Sequence, residues 1–82
     1  MSKLPRDISG SKLARLLKKY DYRITRQTGI HIRLTSKYTN EEHNIPVHAH
    51  NPLKIGTLNN IPKEVTEYLG IAKDEIIKNL FG

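Results

Sequence analysis

Between Leu13 and Val47 the apolar residues change period, and that change constrains the fold more than any other feature of the chain. Leu13, Leu16, Leu17 and Tyr20 recur at i, i+3, i+4 and i+7, one stripe of a helix, with Lys12, Arg15, Lys18 and Lys19 largely outside it. Ser9 precedes the stripe and is the expected N-cap, since its hydroxyl can accept a bond from a free amide of the first turn. From Tyr22 the pattern alternates instead. Tyr22 and Ile24 alternate with Arg23 and Thr25, Ile32 and Leu34 with His31, Arg33 and Thr35, and Ile45 and Val47 with Asn44, Pro46 and His48. Thr28-Gly29-Ile30 supplies a turn in which Gly29 is free to take a positive φ. Pro46 cannot donate a ladder bond, so the third strand is expected at a sheet edge or bulged.

Helical spacing returns after His50-Asn51-Pro52. Leu58, Ile61, Val65, Tyr68 and Leu69 lie near one face, and Pro62 leaves two readings open: a second helix starting there, or one helix kinked there. Gly70 is the expected stop, and Lys73–Phe81, with Ile76, Ile77 and Leu80 on one side, predicts a last short helix. The fold class that follows is α+β, in the order α-β-β-β-α. A three-stranded antiparallel sheet is covered by helices on one face. One domain spans residues 1–82, with residues 1–7 a polar lead-in containing Pro5 and residues 71–82 an additional C-terminal helix.

Inward residues must meet inward residues across each strand pair. That requirement pairs Ile24 with Leu34 and centres the first turn on Gly29, which sets Gln27 opposite His31. It also pairs Ile32 with Val47 and Leu34 with Ile45, which sets His31 opposite His48. The apolar residues share one parity, so helices can cover one side only. The open side is then Arg23, Thr25, Gln27, His31, Arg33 and His48, a surface of cations, hydrogen-bonding groups and imidazoles.

Charge gives that surface a partner class. The chain carries 14 Lys+Arg and 8 Asp+Glu, a formal +6. Residues 1–56 hold eleven basic and four acidic side chains (11 − 4 = +7), and residues 57–82 hold three and four (3 − 4 = −1). All four histidines, His31, His43, His48 and His50, lie in the basic part. Segregated excess charge favours a polyanion, nucleic acid before an acidic protein. With no cysteine, disulfide scaffolds, thiol nucleophiles and cysteine-ligated zinc are excluded. No apolar run approaches the roughly 18 residues of a membrane helix and no signal-type segment follows Met1, so the expectation is a cytoplasmic protein without a membrane partner. His48 and His50 share a parity but lack a carboxylate or cysteine at fitting spacing, so no metal site and no cofactor are expected.

The run Arg26-Gln27-Thr28-Gly29-Ile30-His31, then Ile45-Pro46-Val47-His48, then Lys54-Ile55-Gly56-Thr57-Leu58 resembles the HicA-type mRNA interferase toxins. Their pattern is Arg-Gln-x-Gly-Ser-His, then Val-Pro-x-His, then Lys-x-Gly-Thr-Leu. The similarity spans about Ile8 to Leu69. It implies a double-stranded-RNA-binding-domain-like fold and the toxin role in a type II toxin-antitoxin system. It also implies metal-independent cleavage of mRNA and silencing by a HicB-type antitoxin that covers the His31 face. The family's catalytic histidine corresponds to His31 and its hairpin glycine to Gly29. The chain departs from the pattern where Ile30 replaces the serine, and at Pro62.

RNA carries its own nucleophile, the 2′-hydroxyl, so a protein that cleaves it needs proton carriers and charge rather than a nucleophilic side chain. His31 is the expected general acid/base and His48 a second proton carrier. The expected RNA contacts are Arg23, Arg26, Gln27, Gly29, Arg33, Lys12 and Lys19. Two readings of other classes use the same basic face: a module that binds duplex RNA by shape and cleaves nothing, and a basic protein-interaction domain.

Overall fold

A computed structural model describes residues 7–50 and 52–82; the lead-in before Asp7, and Asn51, lie outside the described residues. Six elements follow in order: α1 (Gly10–Leu16), β1 (Tyr22–Thr28), β2 (His31–Ser36), β3 (His43–His48), α2 (Ile55–Leu69) and α3 (Lys73–Phe81). The strands form one antiparallel sheet in the order β1-β2-β3, so the fold is α+β with α-β-β-β-α order and a C-terminal helix. That order is compatible with a double-stranded-RNA-binding-domain-like arrangement. The Cα envelope measures 32 × 30 × 17 Å, thin enough for one helical layer on one sheet, which leaves the other sheet face uncovered.

α1 starts where the sequence places it. Ser9 is extended (φ −83°, ψ 158°), and its hydroxyl accepts from the Lys12 N–H at 3.1 Å. The last turn tightens into a 3₁₀ segment, Leu17–Tyr20, and Asp21 (φ 64°) reverses the chain into β1. Gly10 has a packing reason. Its N–H donates to the His50 carbonyl at 3.0 Å, and a Cβ built there would lie 2.5 Å from Ala49 Cα.

The core is the helical stripe closed on the sheet. Leu13 and Leu17 from the first helical segment, Ile32 and Leu34 from β2, Ile45 and Val47 from β3, and Leu58, Ile61 and Val65 from α2 are all buried together. α2 is a single helix running through Pro62, so no second helix starts there. Pro62 is itself buried, at the i+4 position of the stripe Leu58, Ile61, Pro62, Val65. Packing of that stripe therefore holds the helix together across the residue that lacks an N–H. Gly70 (φ 72°) ends α2, its N–H donating to Thr66 O at 2.8 Å.

α3 buries Ile76, Ile77 and Leu80, as their spacing predicts. Asn79 ties it down, its Nδ2 donating to Tyr20 Oη at 2.9 Å while its carbonyl accepts from Lys19 Nζ. The β2–β3 connection is held from α2: Thr39 N–H donates to Tyr68 Oη at 3.1 Å, and the Tyr68 hydroxyl donates to the Glu41 carbonyl, with the Ser36 carbonyl 3.3 Å away. Tyr68 stacks on His43 (ring centroids 4.7 Å apart, planes 16° apart), and His43 Nδ1 is 2.7 Å from the buried Tyr22 Oη. His43 thus belongs to the core side of β3, where its parity puts it.

β1 departs from the expected register. Ile24 pairs with Leu34 as alternation requires, but the ladder then slips at Thr25, and Arg26, Gln27 and Thr28 pair with Arg33, Ile32 and His31. A β-bulge inserts one residue, so the faces of β1 exchange at that point. Thr28, not Gln27, lies opposite His31. The turn is the two residues Gly29-Ile30, with a positive φ at Gly29 (59°) and not at Ile30, as in a II′ turn. The helices leave most of this strand uncovered: only Tyr22 is buried in β1, and Ile24 is 50% exposed.

Candidate functional site

The β2–β3 register is unbroken, and it brings the two expected histidines together. His31 pairs with His48, and their rings lie 4.7 Å apart at 39°. Both side chains are exposed, and both stand on the face opposite Ile32, Leu34, Ile45 and Val47. His50 is more distant, its ring 6.1 Å from that of His48. Among the described residues no group of three metal-ligating side chains is gathered.

Around the histidines the bulge decides which side chains arrive. Past Thr25 the even-numbered residues of β1 face the same way as His31. A groove on this face is lined by Arg26, Thr28, His31, Arg33, Asn44 and Pro46. Arg26 therefore joins the site and Gln27 leaves it. Gln27 instead lines a groove on the helical side with Arg15, Lys18 and Ile24. The expected position of Gln27 beside His31 is corrected for that reason. Gly29 shapes the turn and offers no side chain.

A second groove continues along the same face, lined by Asp21, Arg23, Thr25, Thr35 and Lys37. Arg23 pairs with Thr35 in the ladder as expected, and its Nε lies 3.5 Å from Asp21 Oδ1. Both members of that pair are solvent-accessible, so the contact is weak. Lys37 escaped the sequence reading, although it continues the parity of His31, Arg33 and Thr35 one step past the end of β2. Lys12 and Lys19 are elsewhere. Lys12 lines a groove with Leu16, Leu80 and Phe81, and Lys19 caps the end of α3. The structure does not bring either to the sheet face.

Between the two grooves runs a polar chain that crosses all three strands. Arg33 Nε donates to Thr25 Oγ1 at 3.2 Å, Thr25 Oγ1 lies 2.7 Å from Thr35 Oγ1, and Thr35 Oγ1 donates to Asn44 Oδ1 at 2.6 Å. The bulged Thr25 makes the chain possible, because the extra residue sets its hydroxyl within reach of both Arg33 and Thr35. The remaining guanidinium nitrogens of Arg33 have no hydrogen-bond partner among the described residues.

The face is thus open and cationic, and among the described residues no carboxylate lines the groove that holds His31. Two imidazoles stand side by side, with Arg26 and Arg33 in the same groove as His31. Such a set can move protons and hold an anion on a surface, and it offers no enclosed cavity to a small substrate. Within the described residues no helix is long and apolar enough to cross a membrane. The sequence model of the family described as HicA toxin of bacterial toxin-antitoxin matches residues 10–66. No curated protein and no solved structure matches the chain.

Proposed function

The chain belongs to the HicA toxin family of bacterial toxin-antitoxin systems, and from that premise we propose that it is a metal-independent endoribonuclease acting on mRNA in the cytoplasm, with His31 as principal acid/base. The observation that carries the reading is the pairing of His31 with His48, rings 4.7 Å apart, with Arg26 and Arg33 in the groove that His31 lines.

The chemistry is a transesterification within the substrate. One imidazole takes the proton from a ribose 2′-hydroxyl as the 2′-oxygen bonds to phosphorus. The bond from phosphorus to the 5′-oxygen breaks, and an imidazolium gives its proton to that leaving oxygen. The products end in a 2′,3′-cyclic phosphate and a 5′-hydroxyl. His31 is one carrier and His48 the other, while Arg26 and Arg33 offset the charge of the crowded phosphorane. An imidazole has one nitrogen that can accept a proton and one that can donate it, and each transfer is worth roughly 10²–10⁴-fold. Arg23 and Lys37 extend the phosphate track along the second groove. Ile30, in place of the family's serine, is half exposed at the turn, and its carbonyl accepts from the Ala49 N–H at 2.7 Å. Its backbone therefore joins the turn to β3 whatever its side chain. A HicB-type antitoxin silences the enzyme by covering the His31 face.

Digestion of RNA in EDTA by wild type and by His31→Ala tests the assignment. The expected result is cleavage by wild type and a loss of ~10²-fold or more in the variant. Equal cleavage by both removes His31 from the chemistry, and loss of all wild-type cutting in EDTA removes the metal-free mechanism. RNA that is bound with steep salt dependence but stays intact identifies a binding module instead.

A further inference from the structure

We propose that Asn44 reads a base in the cleavage groove, its carboxamide oriented by the hydrogen-bond chain from Arg33 so that its N–H donors face the RNA. The inference rests on RNA being the ligand of this face, and it adds a determinant of sequence preference to it.

The direction of the chain is fixed at both ends. Arg33 Nε can only donate, so Thr25 Oγ1 accepts there and passes its own hydrogen to Thr35 Oγ1. Thr35 then has one hydrogen left to give, and gives it to Asn44. The last contact, 2.6 Å, is a length for O–H···O and is too short for an amide N–H donor. The alternative outlet for the Thr25 hydrogen, the Arg33 carbonyl, is at 3.4 Å and is the weaker partner. Asn44 Oδ1 is therefore the acceptor that terminates the chain, and Nδ2 is the opposite branch of the amide. Thr35 is 8% exposed, so the link that sets this orientation is shielded from water, whereas Asn44 itself is exposed.

Nδ2 has no hydrogen-bond partner among the described residues, and Asn44 lines the groove that holds His31 and Arg33. Asn44, Pro46 and His48 follow one another on the same face of β3, at a spacing of roughly 7 Å per two residues. Arg26 and Arg33 already meet the phosphate charge of this groove. A neutral donor beside the exposed Pro46 ring suits a base instead: apolar contact with its plane and N–H donation to its edge. An amide N–H donates well to an exocyclic carbonyl oxygen, which uracil, guanine and cytosine carry. Adenine offers only ring nitrogens as acceptors, so the groove favours uracil over adenine at the position Asn44 reaches.

Base preference can be read with no cutting at all. Fully 2′-O-methylated oligonucleotides lack the 2′-hydroxyl and cannot be cleaved by the proposed route. Affinities are measured for sets differing only by uracil or adenine at one position. The expected result is a preference for uracil of about 2–5-fold at a single position, a part of the worth of one neutral hydrogen bond. Asn44→Ala should erase that preference with its fold intact by circular dichroism. Asn44→Asp keeps the acceptor of the Thr35 hydroxyl but exchanges the donors for an acceptor, and should lower or invert the preference at the same position. Thr35→Val, which cuts the chain, should reduce it. A wild type that binds with no preference at any position, a wild type that binds none of the oligonucleotides, or an Asn44→Ala variant that keeps the wild-type preference overturns the inference. Preference that depends on Asn44 in a protein that leaves unmodified RNA intact upholds it while removing the ribonuclease reading.

Discussion

β2 and β3 pair without a break from His31–His48 to Ser36–His43, whereas β1 meets β2 in two registers joined by a bulge at Thr25. The difference follows what each strand buries. Ile32, Leu34, Ile45 and Val47 are all buried under the helices, and a slip of one residue would turn every one of them to water. In β1 only Tyr22 is buried, so past Ile24 no burial term resists a change of face. The sheet therefore has a half whose geometry is held by the core and a half free to be shaped by polar contacts. The His31–His48 pair belongs to the first half. Arg26, Thr25 and the clamp on Arg33 belong to the second.

The largest effect that separates the halves is on stability. Ile24 and Leu34 are direct partners, yet Leu34 is fully buried and Ile24 half exposed. Leu34→Ala should cost about 2–5 kcal/mol, and Ile24→Ala less than about 1 kcal/mol, in urea unfolding with unchanged m-values. Similar losses at the two sites would erase the distinction. Next comes Gly10→Ala. Helix propensity alone would stabilise it by roughly 0.5–1 kcal/mol, but the new Cβ meets Ala49 Cα at 2.5 Å, which is backbone and cannot swing away. The expected sign is destabilisation, about 1–3 kcal/mol, with the end of β3 displaced. Melting temperature decides the sign.

A smaller effect concerns pH. Burial, then the nearby Tyr68 and Glu64, push the Tyr22 phenol well above its ordinary 10.0. A raised phenol favours the neutral form in the folded state, so its contribution is full below pH 10 and is lost as the unfolded chain ionises above it. Stability should fall above pH 10, and Tyr22→Phe should flatten that fall. At neutral pH the same variant loses the bond to His43, about 0.5–1.5 kcal/mol. The smallest effect is at Thr66, whose buried hydroxyl has no partner among the described residues. Thr66→Val should be neutral or stabilising by up to about 1 kcal/mol in the same unfolding assay.

How far the sequence could be read tracks the same division. The contact of His31 with His48 was legible because two buried pairs, Ile32 with Val47 and Leu34 with Ile45, lock the strands that carry them. The cap at Ser9, the stop at Gly70 and the extent of α3 were legible from local chemistry. The bulge was not. Thr25-Arg26-Gln27-Thr28 contains no apolar residue, so nothing in its pattern distinguishes one face from the other. Alternation therefore sets Gln27 beside His31, where Thr28 stands and Arg26 shares the groove. Lys19 reads as an RNA contact because its partner, the carbonyl of Asn79, is sixty residues away and carries no sequence signal. Pro62 stayed ambiguous because tertiary packing, not propensity, keeps α2 whole.

The central claim is that an open face suffices for cleavage because the substrate brings the nucleophile to a pair of imidazoles. An RNA oligonucleotide lacking the 2′-hydroxyl only at the ribose 5′ to the preferred cut tests it directly. Incubated with wild type in EDTA, the substituted oligonucleotide should stay whole at that bond, while the all-ribose control yields a 2′,3′-cyclic phosphate and a 5′-hydroxyl. Cutting of the deoxy-substituted bond at the control rate would show that the nucleophile comes from elsewhere and would contradict the account.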